Sequence, residues 1–371
     1  MQRRTFIQQG SLLAMSLATL GKSSAFAEIY ARNQHNQKQN FMGKFRPKDK
    51  IGLGGVAIGN GFQENPDIEC LESMEAAWDA GVRYFDTSPW YGLGISERRM
   101  GMFLKDKPKE DYIISTKVGR ILKPHDNFKQ KGLMWNGRMN FDYTYDYSAE
   151  GTRKSVEDSL QRLGLPAIDI VFIHDLSPDN GDMGDDWVKY YDIAKSGAMK
   201  ELTKMREEGI IKAWGFGVNT IDPILRAIED SDPDIFLSAC QYSLIHHIDD
   251  LDKVFPKVAE RDMSIVVGAP LCAGFLAGKN RYLYGKEIPE FAAKKLAQLK
   301  AVAQRHNVDL LAASLQFCAA PDVISAVIPG AHSVAQVKEN VAAFKKEIPS
   351  AFWEDLKKEK LIATHAPVPN A

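Results

Sequence analysis

The chain has 371 residues, 44% of them hydrophobic and 26% charged, with a formal net charge of −1. That balance describes a globular protein and excludes a disordered, collagenous or low-complexity architecture. It supplies no global basic field, so no nucleic-acid partner is expected.

In chain order, residues 1–27 come first and read as a targeting segment. Arg3-Arg4-Thr5-Phe6-Ile7 precedes a short apolar stretch from Leu12 to Leu20, and Ala25-Phe26-Ala27 supplies an A-x-A cleavage site. The apolar run falls short of the ~20 residues a bilayer crossing needs, so no stable membrane span is expected. Paired arginines before an apolar segment resemble a twin-arginine signal. They imply the twin-arginine export machinery as a partner and a periplasmic location. Residues 28–44, rich in Asn and Gln, read as a flexible leader. Residues 45–371 read as one unit with a C-terminal helix.

After the leader, short apolar runs alternate with helical patterns. The expected strands are Ile51–Gly54, Tyr84–Asp86, Ile113–Lys117, Ile168–His174, Ala213–Val218, Ile235–Gln241, Ser264–Val267 and Ala326–Pro329. Most lack polar alternation, as strands buried on both faces of a parallel sheet do. Helices are expected over Ile68–Ala80, Ser148–Leu163, Tyr191–Glu208, Leu251–Asp262 and Ser333–Ala343. The first three stop at Gly81, Gly164 and Gly209. Eight such units in about 300 residues predict a (β/α)8 TIM barrel, while a doubly wound sheet gives the same alternation. Gly52-Leu53-Gly54-Gly55-Val56-Ala57 matches G-x-G-x-x-A, but Gly59, Asn60 and Gly61 oppose the helix a dinucleotide fingerprint needs. It reads as the first barrel strand and its loop. Cys70, Cys240, Cys272 and Cys318 form no C-x-x-C pair, so no metal is expected and the thiols read as free and buried.

In a barrel, chemistry sits at the C-terminal ends of strands. Asp86, Lys117 and His174 end expected strands, and Tyr91 follows Asp86 by five residues. Singly, each has an ordinary structural explanation. Together they form a set for proton transfer at a carbonyl oxygen. A tyrosine titrating near 10 needs help, and a nearby lysine is expected to lower that value. Asp86 can neutralise the buried lysine, and a neutral histidine can donate to a carbonyl oxygen.

The sequence resembles the aldo/keto reductase superfamily. The resemblance rests on Gly81-Val82-Arg83-Tyr84-Phe85-Asp86-Thr87-Ser88-Pro89-Trp90-Tyr91-Gly92, Ser115-Thr116-Lys117-Val118-Gly119-Arg120, Ser159-Leu160-Gln161-Arg162-Leu163-Gly164 with Asp169, His174-Asp175 and Ile328-Pro329-Gly330. It implies a barrel that binds NADP or NAD, with Asp86, Tyr91, Lys117 and His174 as the catalytic tetrad. The contexts of Arg120 and Asp175 are most similar to the branch holding aldose, fucose and pyridoxal dehydrogenases. The resemblance further implies cofactor contacts from Asn219, Gln241, Pro329, Gly330, His332, Ser333, Gln336, Glu339 and Asn340. His332 is the nearest substitute for the basic residue that clamps a 2′-phosphate in many members. The tyrosine that many members stack under the nicotinamide is missing from Gly268-Ala269-Pro270-Leu271.

The expected substrate is a small carbonyl compound or sugar. Its contacts are expected from Trp90, His246, and Trp135 within the long segment Ile121 to Tyr147, which also carries Asn136 and Arg138. The rival reading is a non-catalytic nucleotide-binding sensor or partner subunit on the same barrel.

Overall fold

The computed structural model describes residues 44–126, 134–137, 139–285 and 287–369. The targeting segment, the leader up to residue 43 and Arg138 lie outside the described residues.

The strands, in chain order, are β1 (Leu53–Gly54), β2 (Tyr84–Asp86), β3 (Ile113–Val118), β4 (Arg120–Pro124), β5 (Phe141–Tyr145), β6 (Ile170–His174), β7 (Ala213–Val218), β8 (Ile235–Ala239), β9 (Ser264–Gly268) and β10 (Ile324–Ile328). Eight of them form one parallel sheet in the order β1-β2-β3-β6-β7-β8-β9-β10. The ends of that sheet meet. Gly52 N–H donates to the Val327 carbonyl at 2.9 Å and Gly54 N–H to the Pro329 carbonyl at 3.2 Å. Parallel bridges join Ile51 to Val327 and Gly54 to Gly330. The barrel is therefore closed, as the alternation predicts.

Strand residues explain its layers. Tyr84, Ile170, Phe172, Ile235, Leu237, Val266, Ala326 and Ile328 pack into one buried cluster. Their neighbours Phe85, Val171, Ile173, Phe236, Ile265 and Val267 pack into a second. The two sets alternate along each strand, as side chains on opposite faces of a pleated strand must. One set fills the barrel and the other meets the helices.

Those helices are α1 (Asp67–Asp79), α2 (Ile95–Leu104), α3 (Ala149–Leu163), α4 (Trp187–Ser196), α5 (Ala198–Glu207), α6 (Asp222–Asp230), α7 (Phe255–Glu260), α8 (Glu290–Arg305), α9 (Leu310–Ala319), α10 (Val334–Ala343) and α11 (Ser350–Lys358). Ser148 caps α3 by accepting from Gly151 N–H, and Gly164 ends it at φ 64°.

Three stretches differ from the sequence expectation. The pattern over 191–208 is two helices, because the chain turns at Gly197 and Ala198 N–H donates to the Tyr147 carbonyl at 2.9 Å. The long segment after β3 carries an antiparallel hairpin at its base, β4 against β5, with Arg120 opposite Tyr145. β8 stops at Ala239 because Cys240 adopts φ 67°, which no strand continues. All four cysteines are buried and free.

Candidate active site

Lys117 lies in β3 and points into the barrel end, wholly buried. Its ammonium carries three protons and meets three acceptors. These are Asp86 Oδ1 at 2.9 Å, Asp86 Oδ2 at 2.8 Å and the Thr87 carbonyl at 2.8 Å. Ser115 Oγ donates to Asp86 Oδ1 at 2.7 Å. Burial pushes the Lys117 ammonium down and the Asp86 carboxyl up, and their mutual attraction opposes both shifts.

Tyr91 follows the turn after β2, fixed by its N–H donating to the Ser88 carbonyl at 3.1 Å. The Lys117 ammonium sits 4.6 Å from the centroid of its ring. Burial, then the Asp86 carboxylate, holds the Tyr91 phenol well above the usual range. This corrects the sequence expectation of a lowered value. Lys117 spends its hydrogen bonds on Asp86 and Thr87, and the paired carboxylate offsets its charge at the phenol.

His174 ends β6 with its ring 5.9 Å from that of Tyr91. Its Nδ1 lies 3.1 Å from Ser88 Oγ and 3.5 Å from an Arg120 Nη1. A guanidinium can only donate, so Nδ1 is the accepting nitrogen and Nε2 carries the proton. Burial, then Lys117 and Arg120, holds His174 well below the usual histidine range, so the ring is neutral.

Arg120 belongs to the same construction. Gly119, at φ 115°, turns the chain from β3 into β4, and a Cβ there would lie 2.4 Å from the Tyr147 ring. Tyr147 in turn donates to the His174 carbonyl at 3.0 Å. The turn leaves the Arg120 guanidinium 4.4 Å from the Trp90 ring centroid and 5.0 Å from that of Tyr145. It pairs with Asp175 Oδ2 at 2.8 Å.

Around these groups lies a cavity of about 200 Å³. Trp90, Tyr91, Lys117, Trp135, His174, Asp175 and Asn219 line it with Val56, Met134, Leu237 and Tyr284. Trp90 and Trp135 therefore stand where substrate contacts are expected. His246 does not. Its ring is hydrogen-bonded to the Tyr282 hydroxyl and packs on Phe291, because Ser243 Oγ accepts from Ile245 and His246 N–H and turns that loop aside.

The residues present fit a nicotinamide nucleotide. Gly217 lines the cavity beside Lys117 and adds no side chain to it. Asn219 Nδ2 donates to Asp179 Oδ2 at 2.9 Å, and Gln241 Nε2 donates to the Asn219 carbonyl. Both amides leave their side-chain oxygens available to a carboxamide. At α10, Ser333 Oγ accepts from Gln336 N–H, and Gln336 Oε1 accepts from His332 N–H. Asn340 is buried and Glu339 exposed on that helix. Pro329 and Gly330 help close the barrel beside it. His332 accepts from Asn65 Nδ2 at 2.8 Å and is pushed down to about 4 by burial, Arg281 and Lys279. A neutral His332 brings no charge to a phosphate, and the charges of Arg281 and Lys279 act on that position. Tyr284, stacked on Phe62 at 6.3 Å, brings an aromatic ring to the cavity from the segment after β9.

Residues 50–360 match the model of the aldo/keto reductase family. The chain belongs to the aldo/keto reductase family. It is an oxidoreductase that uses NAD or NADP. The chain is 34% identical to D-threo-aldose 1-dehydrogenase of Pseudomonas sp, covering 85% of this chain and 94% of the relative. It is 32% identical to pyridoxal 4-dehydrogenase of Microbacterium luteolum, covering 84% and 94%. An aldo-keto reductase of Bacillus halodurans in its holo form shares the fold at a TM-score of 0.65 and 23% identity, covering 89% of this chain and 99% of that one. Among the described residues, no helix is long and apolar enough to cross a membrane and no group of His, Cys, Asp and Glu could hold a metal ion.

Proposed function

We propose that this aldo/keto reductase interconverts a carbonyl or cyclic hemiacetal of a sugar or small aldehyde with its reduced or oxidised partner. The observation that carries the reading is the pairing of a protonated Tyr91 with a neutral His174 at one cavity, backed by the Lys117–Asp86 pair. In reduction, Tyr91 Oη gives its proton to the carbonyl oxygen and His174 Nε2–H holds that oxygen in place. The nicotinamide, when bound, supplies or accepts the hydride. In oxidation, Tyr91 takes the hydroxyl proton. Asn219 and Gln241 orient the carboxamide, the N-terminal turn of α10 meets phosphate, and Asn340 and Glu339 meet the adenine end. Lys117 and Asp86 position Tyr91.

Trp90 and Trp135 give the cavity aromatic walls. Trp135 Nε1 is buried with no hydrogen-bond partner among the described residues, a donor available to a polar substrate. The named relatives, an aldose dehydrogenase and a pyridoxal dehydrogenase, support the same substrate range. The test is NAD(P)H formation or consumption with a panel of aldoses and simple aldehydes. Turnover supports the enzyme. Nucleotide binding with no turnover on any member would favour a nucleotide sensor instead.

We also propose export to the periplasm through the twin-arginine machinery, on Arg3-Arg4, the apolar stretch and Ala25-Phe26-Ala27. Intact mass of the secreted protein should begin at Glu28. An uncut cytoplasmic chain would overturn the proposal.

A further inference from the structure

We infer that Asp175 accepts a hydrogen bond from a hydroxyl on the carbon next to the reacting carbon, so that the site selects α-hydroxy carbonyls and their hemiacetals. This rests on the reading of Tyr91 and His174 given above.

Asp175 is the one carboxylate among the described residues that line the cavity. It directly follows His174 and holds φ at 46°, a left-handed turn that aspartate adopts more readily than most residues and that ends the run of β6. The surroundings fix it there. Its N–H donates to the Gly217 carbonyl at 3.0 Å, and its carbonyl accepts from Asn180 Nδ2 at 2.9 Å. Arg120 holds Oδ2 at 2.8 Å, and the Arg120 plane is itself held between aromatic rings. A carboxylate has about four lone-pair sites, and this ion pair uses only one oxygen.

Oδ1 is the oxygen left over. His174 Nε2 lies 3.4 Å from it. That is a poor hydrogen bond, since good N–H···O contacts are ~2.7–3.2 Å. The His174 proton and the Oδ1 lone pairs therefore flank one place in the cavity, a donor beside an acceptor. A carbonyl oxygen takes the donor. The acceptor requires a proton-bearing group next to it. The separation of Nε2 and Oδ1 resembles that of oxygens on neighbouring carbons, so an α-hydroxyl meets both demands. A purely structural Asp175 would need only Arg120.

The wild-type protein should be compared on glycolaldehyde, methoxyacetaldehyde and acetaldehyde with the preferred nicotinamide. Methoxyacetaldehyde keeps the electron-withdrawing oxygen but has no proton to donate. A hydrogen bond to a charged acceptor predicts kcat/KM about 10- to 100-fold higher for glycolaldehyde than for either analogue. Equal values for glycolaldehyde and methoxyacetaldehyde would overturn the inference in the wild type alone, whatever any variant does. Asp175→Asn should reduce the glycolaldehyde preference to within a few-fold, mainly through KM. Equal loss on all three substrates, with the ratio kept, would assign Asp175 a structural role and overturn the inference. Absence of turnover on every carbonyl tested would instead strike at the proposed reaction itself.

Discussion

The Lys117 ammonium stands 4.6 Å from the centroid of the Tyr91 ring and gives all three of its hydrogen bonds elsewhere, two to Asp86 and one to the Thr87 carbonyl. The free protein therefore holds Tyr91 as a phenol. The pair behind it fixes position more than it lowers the phenol's affinity for its proton.

That arrangement sets the pH dependence. A raised phenol value keeps the proton donor intact, so kcat/KM for carbonyl reduction should be flat between about pH 6 and pH 9. Oxidation needs the deprotonated oxygen and should rise with pH across the same range. Parallel pH profiles in the two directions check this. A reduction rate that falls from neutral pH upward would show that Tyr91 titrates low.

The Lys117–Asp86 pair is wholly buried, so removing one partner strands the other. Lys117→Met should cost about 3–5 kcal/mol in chemical denaturation. Adding Asp86→Asn to that variant should recover most of the loss while leaving catalysis impaired. Equal stability of the single and double variants would show that the Asp86 charge is solvated after all.

His247 supplies a pH-dependent stability contribution outside the site. Its Nε2 accepts from Ala363 N–H at 3.1 Å, and burial pushes the ring down to about 4. The unfolded chain, with an ordinary histidine near 6.5, binds more protons between about pH 6.5 and pH 4. The contribution is therefore present above about 6.5 and is lost as pH falls through that window, by roughly 3 kcal/mol in all. His247→Gln should flatten the fall of denaturation midpoint from pH 7 to pH 5. An unchanged slope would assign it to other groups.

Asp250 acts with the opposite sign. It is buried, Ser238 Oγ donates to Oδ2, Oδ1 has no partner among the described residues, and burial raises the carboxyl to about 7. A raised acid favours the folded state at low pH and penalises it as pH rises from about 4 to 7. Asp250→Asn should gain about 1–3 kcal/mol at pH 8 and little at pH 4. A loss at both pH values would refute the assignment.

The barrel and three polar residues at its strand ends are legible because each is a local pattern. An apolar run stops at a polar residue, and Asp86, Lys117 and His174 carry that signal directly. Arg120 and Asp175 could be read only as neighbours of those residues. Arg120 matters because a hairpin returns Tyr145 opposite it, and Asp175 because its backbone adopts a positive φ. Tyr284 reaches the cavity from a segment well past β9, which no periodicity announces. His246 was expected at the substrate because it follows a strand closely, but a single hydroxyl, Ser243 Oγ, turns it away. α9 was not read because it is buried on most sides and carries little helical period.

In the proposed reaction the Tyr91 hydroxyl delivers the proton to a carbonyl held in this cavity. Tyr91→Phe removes only that oxygen, and the ring can keep its place against Trp135 and His174. The decisive measurement is single-turnover hydride transfer from bound NAD(P)H in this variant, alongside a fluorescence titration of nucleotide binding. That role for Tyr91 predicts transfer slowed by about 10²- to 10⁴-fold with nucleotide affinity within a few-fold of the parent. Transfer at the parent rate would contradict it.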